Sequence, residues 1–166
     1  MTKQILLSRG LFATVDDADY DWLSQWKWSA MQVSKAHTSR FYAVRMTRKG
    51  EVIGSPKMIL MHRTITDAPR GMVVDHLDNN GLNNVRANVR ACTQSENMMN
   101  SVGHRNGSSQ YKGVWFHKQN GNWCSQFRNK GLGSFTNEED AARAYDKAAL
   151  AFSPIYARLN FDREAA

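Results

Sequence analysis

The sequence has little cysteine and no long apolar run. Cys92 and Cys124 are the only cysteines in 166 residues, and neither has a Cys-x-x-Cys partner. This spacing argues against a zinc site and against a disulfide framework. No apolar run approaches the ~20 residues that cross a bilayer, and nothing resembles a signal peptide. We therefore expect a cytoplasmic protein, in a reducing environment, with no membrane partner.

Acidic residues are missing from one long stretch, residues 106–135, which contains four basic residues. The whole chain carries a net charge of +7. A strong positive charge favours a polyanionic partner, and here nucleic acid is the expected one. We expect double-stranded DNA as the partner and no small-molecule substrate, while composition leaves the oligomeric state open.

Residues 72–100 contain acidic, imidazole and amide side chains in a suggestive order. Asp75-His76 closes a short apolar strand, Asn88 begins a second strand, and Asn97 lies on a helix that opens with a Thr-x-x-Glu capping box. The intervening Asp78-Asn79-Asn80-Gly81 has the residues of a tight reversal. The pattern predicts polar side chains converging where the first strand ends and the helix begins, which suits one divalent cation with a base beside it.

This stretch resembles the HNH nuclease family, whose core is a ββα-metal finger, in the variant with Asn as the third motif residue. The resemblance covers residues 61–101 and implies that Asp75 and Asn97 hold Mg²⁺, with Mn²⁺ as a substitute. It implies that His76 is the general base and that Asn88 pins the loop and orients the histidine. Asn84 competes with Asn88 for the middle position and is otherwise loop support. Mg²⁺ prefers oxygen ligands, and an unperturbed histidine titrates near pH ~6.5, so the chemistry agrees.

Residues 110–161 are predicted to form a sheet followed by a helix. Strands are expected at 111–118, 123–129 and 131–135, with an Asn-Gly hairpin signal before the second strand. A capping box at Thr136 and Glu139 opens an Ala-rich helix, and Pro154 fits its end. Alternation puts two sets of side chains on opposite faces. The core face has Val114, Phe116, Trp123, Ser125 and Phe127, and the open face has Trp115, His117, Gln126 and Arg128.

Several motifs of this region resemble the plant ethylene-response-factor (AP-two/ERF) type of DNA-binding domain, over residues 107–161. They are Tyr111-Lys112-Gly113-Val114, the Glu-Glu-Asp-Ala-Ala-Arg-Ala-Tyr-Asp run at 138–146, and Leu159-Asn160-Phe161. In that family the sheet lies in the DNA major groove. The resemblance implies DNA-facing positions at Lys112, Trp115, His117, Gln126 and Arg128. Trp115 and His117 stand where arginines are usual, so the resemblance carries the fold rather than the base preference.

Residues 1–60 suggest a small α+β unit, with strands near 11–15 and 41–45 and a helix at 17–25. A turn at Arg48-Lys49-Gly50 leads toward a further apolar strand at 57–61. Three tryptophans, Trp22, Trp26 and Trp28, are interpreted as core. His62 is interpreted as structural or near the site, and Arg63 as a phosphate contact.

The predicted fold class is therefore α+β, in four parts. An N-terminal α+β extension (1–60) precedes a ββα-metal nuclease core (61–101), a linker (102–109), and a three-stranded antiparallel sheet with one helix (110–161). The predicted function is a metal-dependent DNA endonuclease of the free-standing homing type found in bacteriophage genomes, with Arg90 and Arg86 as further phosphate contacts. The alternative is a DNA-binding regulator with an inactive HNH-like module. RNA binding is weaker, because no ribonucleoprotein-type aromatic motif is present.

Overall fold

The computed structural model describes residues 1–34, 37–48, 50–51, 57–101 and 107–161. They form two compact units, Met1–Gln94 and Ser95–Ala166. The fold class is α+β, as predicted, with small antiparallel sheets and four helices in the described part of the chain. Within that part, no helix is both long and apolar enough to cross a membrane.

The first unit begins with a hairpin and a helix. Strands β1 (Thr2–Leu6) and β2 (Phe12–Asp16) pair antiparallel, and helix α1 (Asp17–Ser24) follows directly. The sequence predicted β2 and α1 correctly but not β1, whose Thr-Lys-Gln start has no apolar alternation. Pairing with β2 supplies the stabilisation that the β1 sequence alone does not indicate.

A three-stranded sheet comes next, in the order β3 (Ser29–Ser34), β4 (His37–Met46) and β5 (Met58–Leu60). The predicted strands at 41–45 and 57–61 correspond to β4 and β5, whereas β3 was not predicted. The predicted turn at Arg48-Lys49-Gly50 lies partly outside the described residues, because Lys49 is not among them.

The core of this unit is formed by buried side chains of the hairpin, α1, the sheet and the segments that follow. Its members are Ile5, Leu7, Ala13, Val15, Leu23, Trp28, Ala30, Ala43, Met61, Ile65 and Val89. Trp22 and Trp26 are partly buried against this core. Their rings meet edge to face with centroids 6.0 Å apart, and the rings of Trp26 and Trp28 do so at 6.4 Å. The Arg45 guanidinium lies 4.5 Å from the Trp26 centroid. The core interpretation of the three tryptophans is confirmed.

The part of the candidate nuclease core in the first unit consists of helix α2 (Met61–Thr66) and the hairpin β6 (Val73–His76) and β7 (Val89–Cys92). The antiparallel register sets Asp75 opposite Arg90 and His76 opposite Val89. The strand–loop–strand prediction is thus confirmed, whereas α2 was not predicted and only its first residue, Met61, was placed at the end of the apolar strand at 57–61. Packing of Met61 and Ile65 into the core fixes this short segment as a helix.

The second unit contains helix α3 (Gln94–Asn100), which begins in the last residue of the first unit, and then a sheet and a long helix. The sheet order is β8 (Val114–His117), β9 (Asn122–Phe127) and β10 (Lys130–Phe135), and helix α4 (Glu138–Phe152) follows. Buried alanines of α4 meet the sheet, so the Ala-rich stripe packs close to it as predicted.

Alternation assigned most faces of this sheet correctly. Val114, Ser125 and Phe127 are buried, while Trp115 on the other face is 38% exposed. The prediction was wrong for Arg128. Strand β9 ends at Phe127, and Arg128 and Asn129 both have left-handed φ values, 47° and 63°, so they form the turn into β10. Alternation does not continue through such a turn.

The start of α4 also differs from its prediction by one residue. Asn137 is the N-cap, and its side chain accepts a hydrogen bond of 2.7 Å from the backbone N–H of Glu139. Thr136 was the predicted cap. Asn is at least as good a cap as Thr, so a start one residue later does not cost the helix its cap.

The first compact unit ends at Gln94, ahead of the predicted linker at 102–109, because the end of α3 packs in the second unit. Met99 is buried with Phe127 and Tyr145, and the Lys112 ammonium donates to the carbonyl oxygens of Met98 and Met99 at 3.3 and 2.6 Å. Residues 102–106 of the predicted linker lie outside the described residues. Ser109 is buried and donates to Glu138.

Candidate nuclease site and DNA-binding face

His76 is the last residue of β6, and its side chain is buried with that of Asp75. Burial disfavours the charged ring and lowers the pKa of His76 below its ordinary value. The neighbouring Asn84 side chain and the carboxylates of Asp78 and Asp75 oppose that shift. A lowered pKa keeps the imidazole neutral at neutral pH, which is the form that accepts a proton.

Asp75 is held by an arginine on the adjacent strand. The Arg90 guanidinium donates to Asp75 Oδ2 through Nε at 3.1 Å and Nη2 at 2.8 Å, as the cross-strand register permits. Both side chains are largely shielded from solvent. Arg90 was predicted to contact phosphate, and the structure gives its guanidinium this partner within the fold; the phosphate contact stays a prediction.

Asn88 fastens the loop that follows His76, which is the structural part of its predicted role. Its Oδ1 accepts from the N–H of Asp78 at 3.1 Å, and its Nδ2 donates to Asp78 Oδ1 at 2.9 Å and to the Asn83 carbonyl at 2.7 Å. Asp78 also accepts from the side chain of Asn83 at 2.7 Å. The loop is therefore closed by polar side chains, as its composition indicated.

Asn84, the competitor of Asn88 in the sequence, has a separate place. It is fully buried, and its side chain lies beside His76 without a hydrogen bond of ordinary geometry. Its backbone N–H donates to the Thr14 carbonyl at 2.7 Å, and Thr14 N–H donates to the Leu82 carbonyl at 2.9 Å. The two asparagines thus have different structural roles: the Asn88 side chain closes the loop, and the Asn84 backbone joins the loop to β2.

His62 lies against His76, which supports the reading that placed it near the site. The centroids of the two rings are 5.1 Å apart, and both rings contact Tyr42. Burial, with the charges of His76 and Arg63 as further causes, lowers the pKa of His62 to about 3. Tyr42 was not identified from the sequence as a site residue, because the sequence shows only that it lies on a strand near 41–45.

The His62 pKa predicts acid sensitivity of the first unit. Above pH ~6.5 the ring is neutral in both folded and unfolded chains and has no effect. As the pH falls from ~6.5 toward 3, His62 becomes protonated in the unfolded chain but stays neutral in the folded chain, so the free energy of unfolding decreases over this pH range. We expect His62→Phe to flatten this part of the stability–pH curve in urea unfolding experiments. An unchanged slope in the variant would contradict the assignment.

The remaining predicted phosphate contacts of the first unit also have partners within it. The Arg86 guanidinium donates to both carboxylate oxygens of buried Asp19 at 2.8 and 2.7 Å, and this hydrogen bonding is the main cause that lowers the Asp19 pKa. Arg63 donates to the carbonyl oxygens of Met72, Ala68 and Pro69 and so holds the connection from α2 to β6. Their contacts with DNA stay predictions.

Asn97, the second predicted metal ligand, lies in the middle of α3 and belongs to the second unit. Its place on a helix directly after β7 agrees with the predicted order of elements. Metal binding by Asn97 stays a prediction.

The open face of the second unit combines an aromatic side chain with polar side chains. Trp115 and His117 lie on β8 and Gln126 on β9, on the side away from α4. Gln126 donates to the Asn129 side chain at 3.5 Å. Arg128 lies instead at the turn, with its guanidinium 4.0 Å from the ring centroid of Phe152 at the end of α4. Lys112 points to the α3 carbonyls rather than to this face.

Comparison with known proteins matches both parts of the chain. A family model described as HNH endonuclease matches residues 67–99. The rice (Oryza sativa subsp. indica) "APETALA2-like protein 2" is 44% identical over 64 residues, which is 36% of this chain and 15% of that protein. The chain combines an HNH-like segment with an AP2-like segment.

Two further plant proteins resemble the AP2-like segment. The Arabidopsis thaliana "AP2-like ethylene-responsive transcription factor TOE2" is 44% identical over 63 residues, 36% of this chain and 13% of that protein. The rice (subsp. japonica) "AP2-like ethylene-responsive transcription factor CRL5" is 40% identical over 68 residues, 37% and 11% of the two chains. The matches thus cover a small part of each relative. The HNH-like segment contains Asp75, His76, Asn88 and Asn97.

Proposed function

We propose that the protein is a metal-dependent DNA endonuclease whose AP2-like segment places it on duplex DNA. The observation that carries this proposal is the buried Asp75-His76 pair at the end of β6, followed by a loop that Asn88 closes, inside the segment that matches HNH endonucleases. The positive charge of the chain and its AP2-like segment supply the affinity for DNA.

In the proposed reaction, neutral His76 accepts a proton from a water molecule as the water oxygen attacks a backbone phosphorus in line. The bond from phosphorus to the 3′ oxygen breaks, the 3′ oxygen takes a proton from solvent, and the products end in 5′-phosphate and 3′-hydroxyl. Asn88 and Asn84 keep the adjacent loop in place during this step. Arg90 keeps the Asp75 carboxylate oriented.

Asp75 and Asn97 are the proposed ligands of Mg²⁺, or of Mn²⁺ in its place. Their oxygen donors suit a hard cation that usually takes one or two protein ligands and completes its shell with water and phosphate. Within the described ranges, no three His, Cys, Asp or Glu side chains cluster as a metal site, so water and phosphate would supply the other ligands. When bound, the ion would stabilise charge on the phosphate and the leaving oxygen.

We further propose the free-standing homing type, acting in the cytoplasm of a host cell if the chain is phage-encoded. A monomer with one site would nick, whereas cutting both strands would need a dimer or a second binding event.

The competing proposal is a DNA-binding regulator in which the HNH-like segment is inactive. It is favoured by the names of the AP2-like relatives, which are transcription factors. The two proposals differ in one result, which is whether the backbone is cut.

Metal removal gives the direct test. Supercoiled plasmid and host genomic DNA incubated with the protein and Mg²⁺ should give nicked or linear product, and excess EDTA should remove the product while gel shifts persist. Binding without cleavage, with Mg²⁺ and Mn²⁺ and on both DNAs, would support the regulator instead.

The role of single cations in DNA binding can be tested by salt dependence. Arg128 is exposed at the turn into β10 rather than on the open face, and we propose that it contacts a phosphate from there. Arg128→Ala should then weaken binding and lower the slope of log affinity against log salt by about one ion, since each phosphate contact releases about one counterion. Lys112→Met should leave the slope unchanged, because its ammonium is bonded to the α3 carbonyls. An unchanged slope for Arg128→Ala would remove Arg128 from the interface.

A further inference from the structure

Three rings from three different elements meet at the candidate base. Tyr42 comes from β4, His62 from α2 and His76 from β6. Tyr42 lies over His76 with 5.8 Å between centroids and 22° between planes, a stacked arrangement. His62 meets Tyr42 at 5.0 Å and 71°, and His76 at 5.1 Å and 89°, both edge to face. One ring therefore restrains the face of the His76 imidazole, and the other meets it at a right angle.

His62 acts in this cluster through its shape rather than through a hydrogen bond of Nδ1. That nitrogen is buried, and it has no hydrogen-bond partner in the part of the chain that the structure describes. With its pKa near 3, the ring is also uncharged at neutral pH, so it adds no positive charge beside His76. A phenyl ring would preserve the same packing, whereas a methyl group would leave a gap.

Tyr42 is backed by the loop that Asn88 closes. A Cβ added to Gly81 would lie 2.3 Å from Tyr42 Cδ1 and 2.4 Å from the Phe41 carbonyl oxygen. Both distances are far below ordinary contact, so the loop reaches the ring only because residue 81 has no side chain. The hydrogen bonds of Asn88 hold this loop in place, so the loop restrains the position of the Tyr42 ring.

From this arrangement we infer that His62 is a positioning residue for the nuclease reaction, which holds the imidazole of His76 together with Tyr42 and the Gly81 loop. The inference rests on the proposed function, because it assigns His76 the proton-accepting role. Misplacing a reacting group by about 1 Å costs up to about 100-fold in rate, so loosening this cluster would affect cleavage more than DNA binding.

The experiment compares His62→Ala and His62→Phe with the parent, using the full chain. The ring proton and carbon NMR signals of His76 are assigned by the loss of one of five histidine signals in His76→Ala. These signals report ring packing without metal, DNA or turnover. In His62→Ala they should shift and broaden, and in His62→Phe they should return toward the parent positions.

Single-turnover cleavage with Mg²⁺ gives the functional readout. We expect about 10- to 100-fold slower cleavage for His62→Ala, with DNA affinity within twofold of the parent, and recovery to within about threefold for His62→Phe. Gly81→Ala displaces Tyr42 and should reproduce the slow cleavage. Gly131→Ala is the matched control, since its Cβ would have open space and its φ is ordinary.

Each outcome decides between the alternatives. His76 signals that do not change in His62→Ala would overturn the packing role. Signals that change while cleavage does not would overturn the role in the reaction, as would failure of His62→Phe to recover the rate. If the parent cleaves no DNA, the proposed nuclease function fails, and with it the reaction role of His62, while the NMR result still decides whether His62 positions the ring.

Discussion

Replacing His76 by alanine should abolish cleavage and leave DNA affinity close to that of the parent protein. A positioned general base contributes about 10²- to 10⁴-fold to rate, so the residual cleavage should lie at or below one hundredth of the parent rate. His76 is buried at the end of β6 and offers little surface to DNA, so its loss should cost little binding. Single-turnover cleavage and gel shifts measure the two quantities.

A second histidine provides the control for that result. His117→Ala changes the open sheet face and should reduce affinity, but its cleavage rate should match the parent once DNA is saturating. A His76→Ala rate within threefold of the parent would mean that another group accepts the proton.

Replacing Asp146 by alanine should destabilise the second unit by about 3 kcal/mol, because it leaves buried donors without an acceptor. The fully buried carboxylate accepts from the backbone N–H of Asn160 at 2.9 Å, from its side chain at 3.1 Å, and from the Phe161 N–H at 3.0 Å. Asn160 in turn accepts from the Lys112 N–H at 2.7 Å. The substitution therefore loosens the segment at Asn160 and Phe161 together with the segment at Lys112 that leads into the sheet.

Amide hydrogen exchange in β8 and β9 is the appropriate measurement, because it reports the second unit separately from the first. Lys147→Ala is the matched control on the same helix, since Lys147 is exposed next to Asp146 and its removal should cost less than about 0.5 kcal/mol. Equal protection in the Asp146 variant and in this control would show that the carboxylate network contributes little.

Local patterns predicted the elements whose stabilisation is local. The Asp75-His76 strand end, the Asn-rich loop and the β8–β9 hairpin follow from alternation and turn residues, and the structure has them where they were expected. β1 was missed because its pairing with β2, rather than its own pattern, makes it a strand.

The failures concern partners that are distant in the sequence or a break in periodicity. Lys112 was placed on the DNA-facing side by resemblance, but the α3 carbonyls lie 13 and 14 residues away and claim its ammonium. Arg128 left the predicted face because a left-handed turn interrupts the strand. Tyr42 gave no signal, since an aromatic residue on a strand is an ordinary core feature until the fold brings it to His76. His62 was interpreted as structural or near the site, but its sequence position did not show that it meets the ring of His76.

The ion pair between Arg90 and Asp75 bears on the stability of the folded protein when no metal ion and no DNA are bound. The buried carboxylate already has a resident positive partner in the folded chain, so folding does not require a metal ion to neutralise it. We therefore expect the apoprotein to remain folded in chelator. If phosphate supplies ligands to the proposed ion, binding of the ion would depend on the binding of DNA. The protein would then be metal-free and inactive when no DNA is bound.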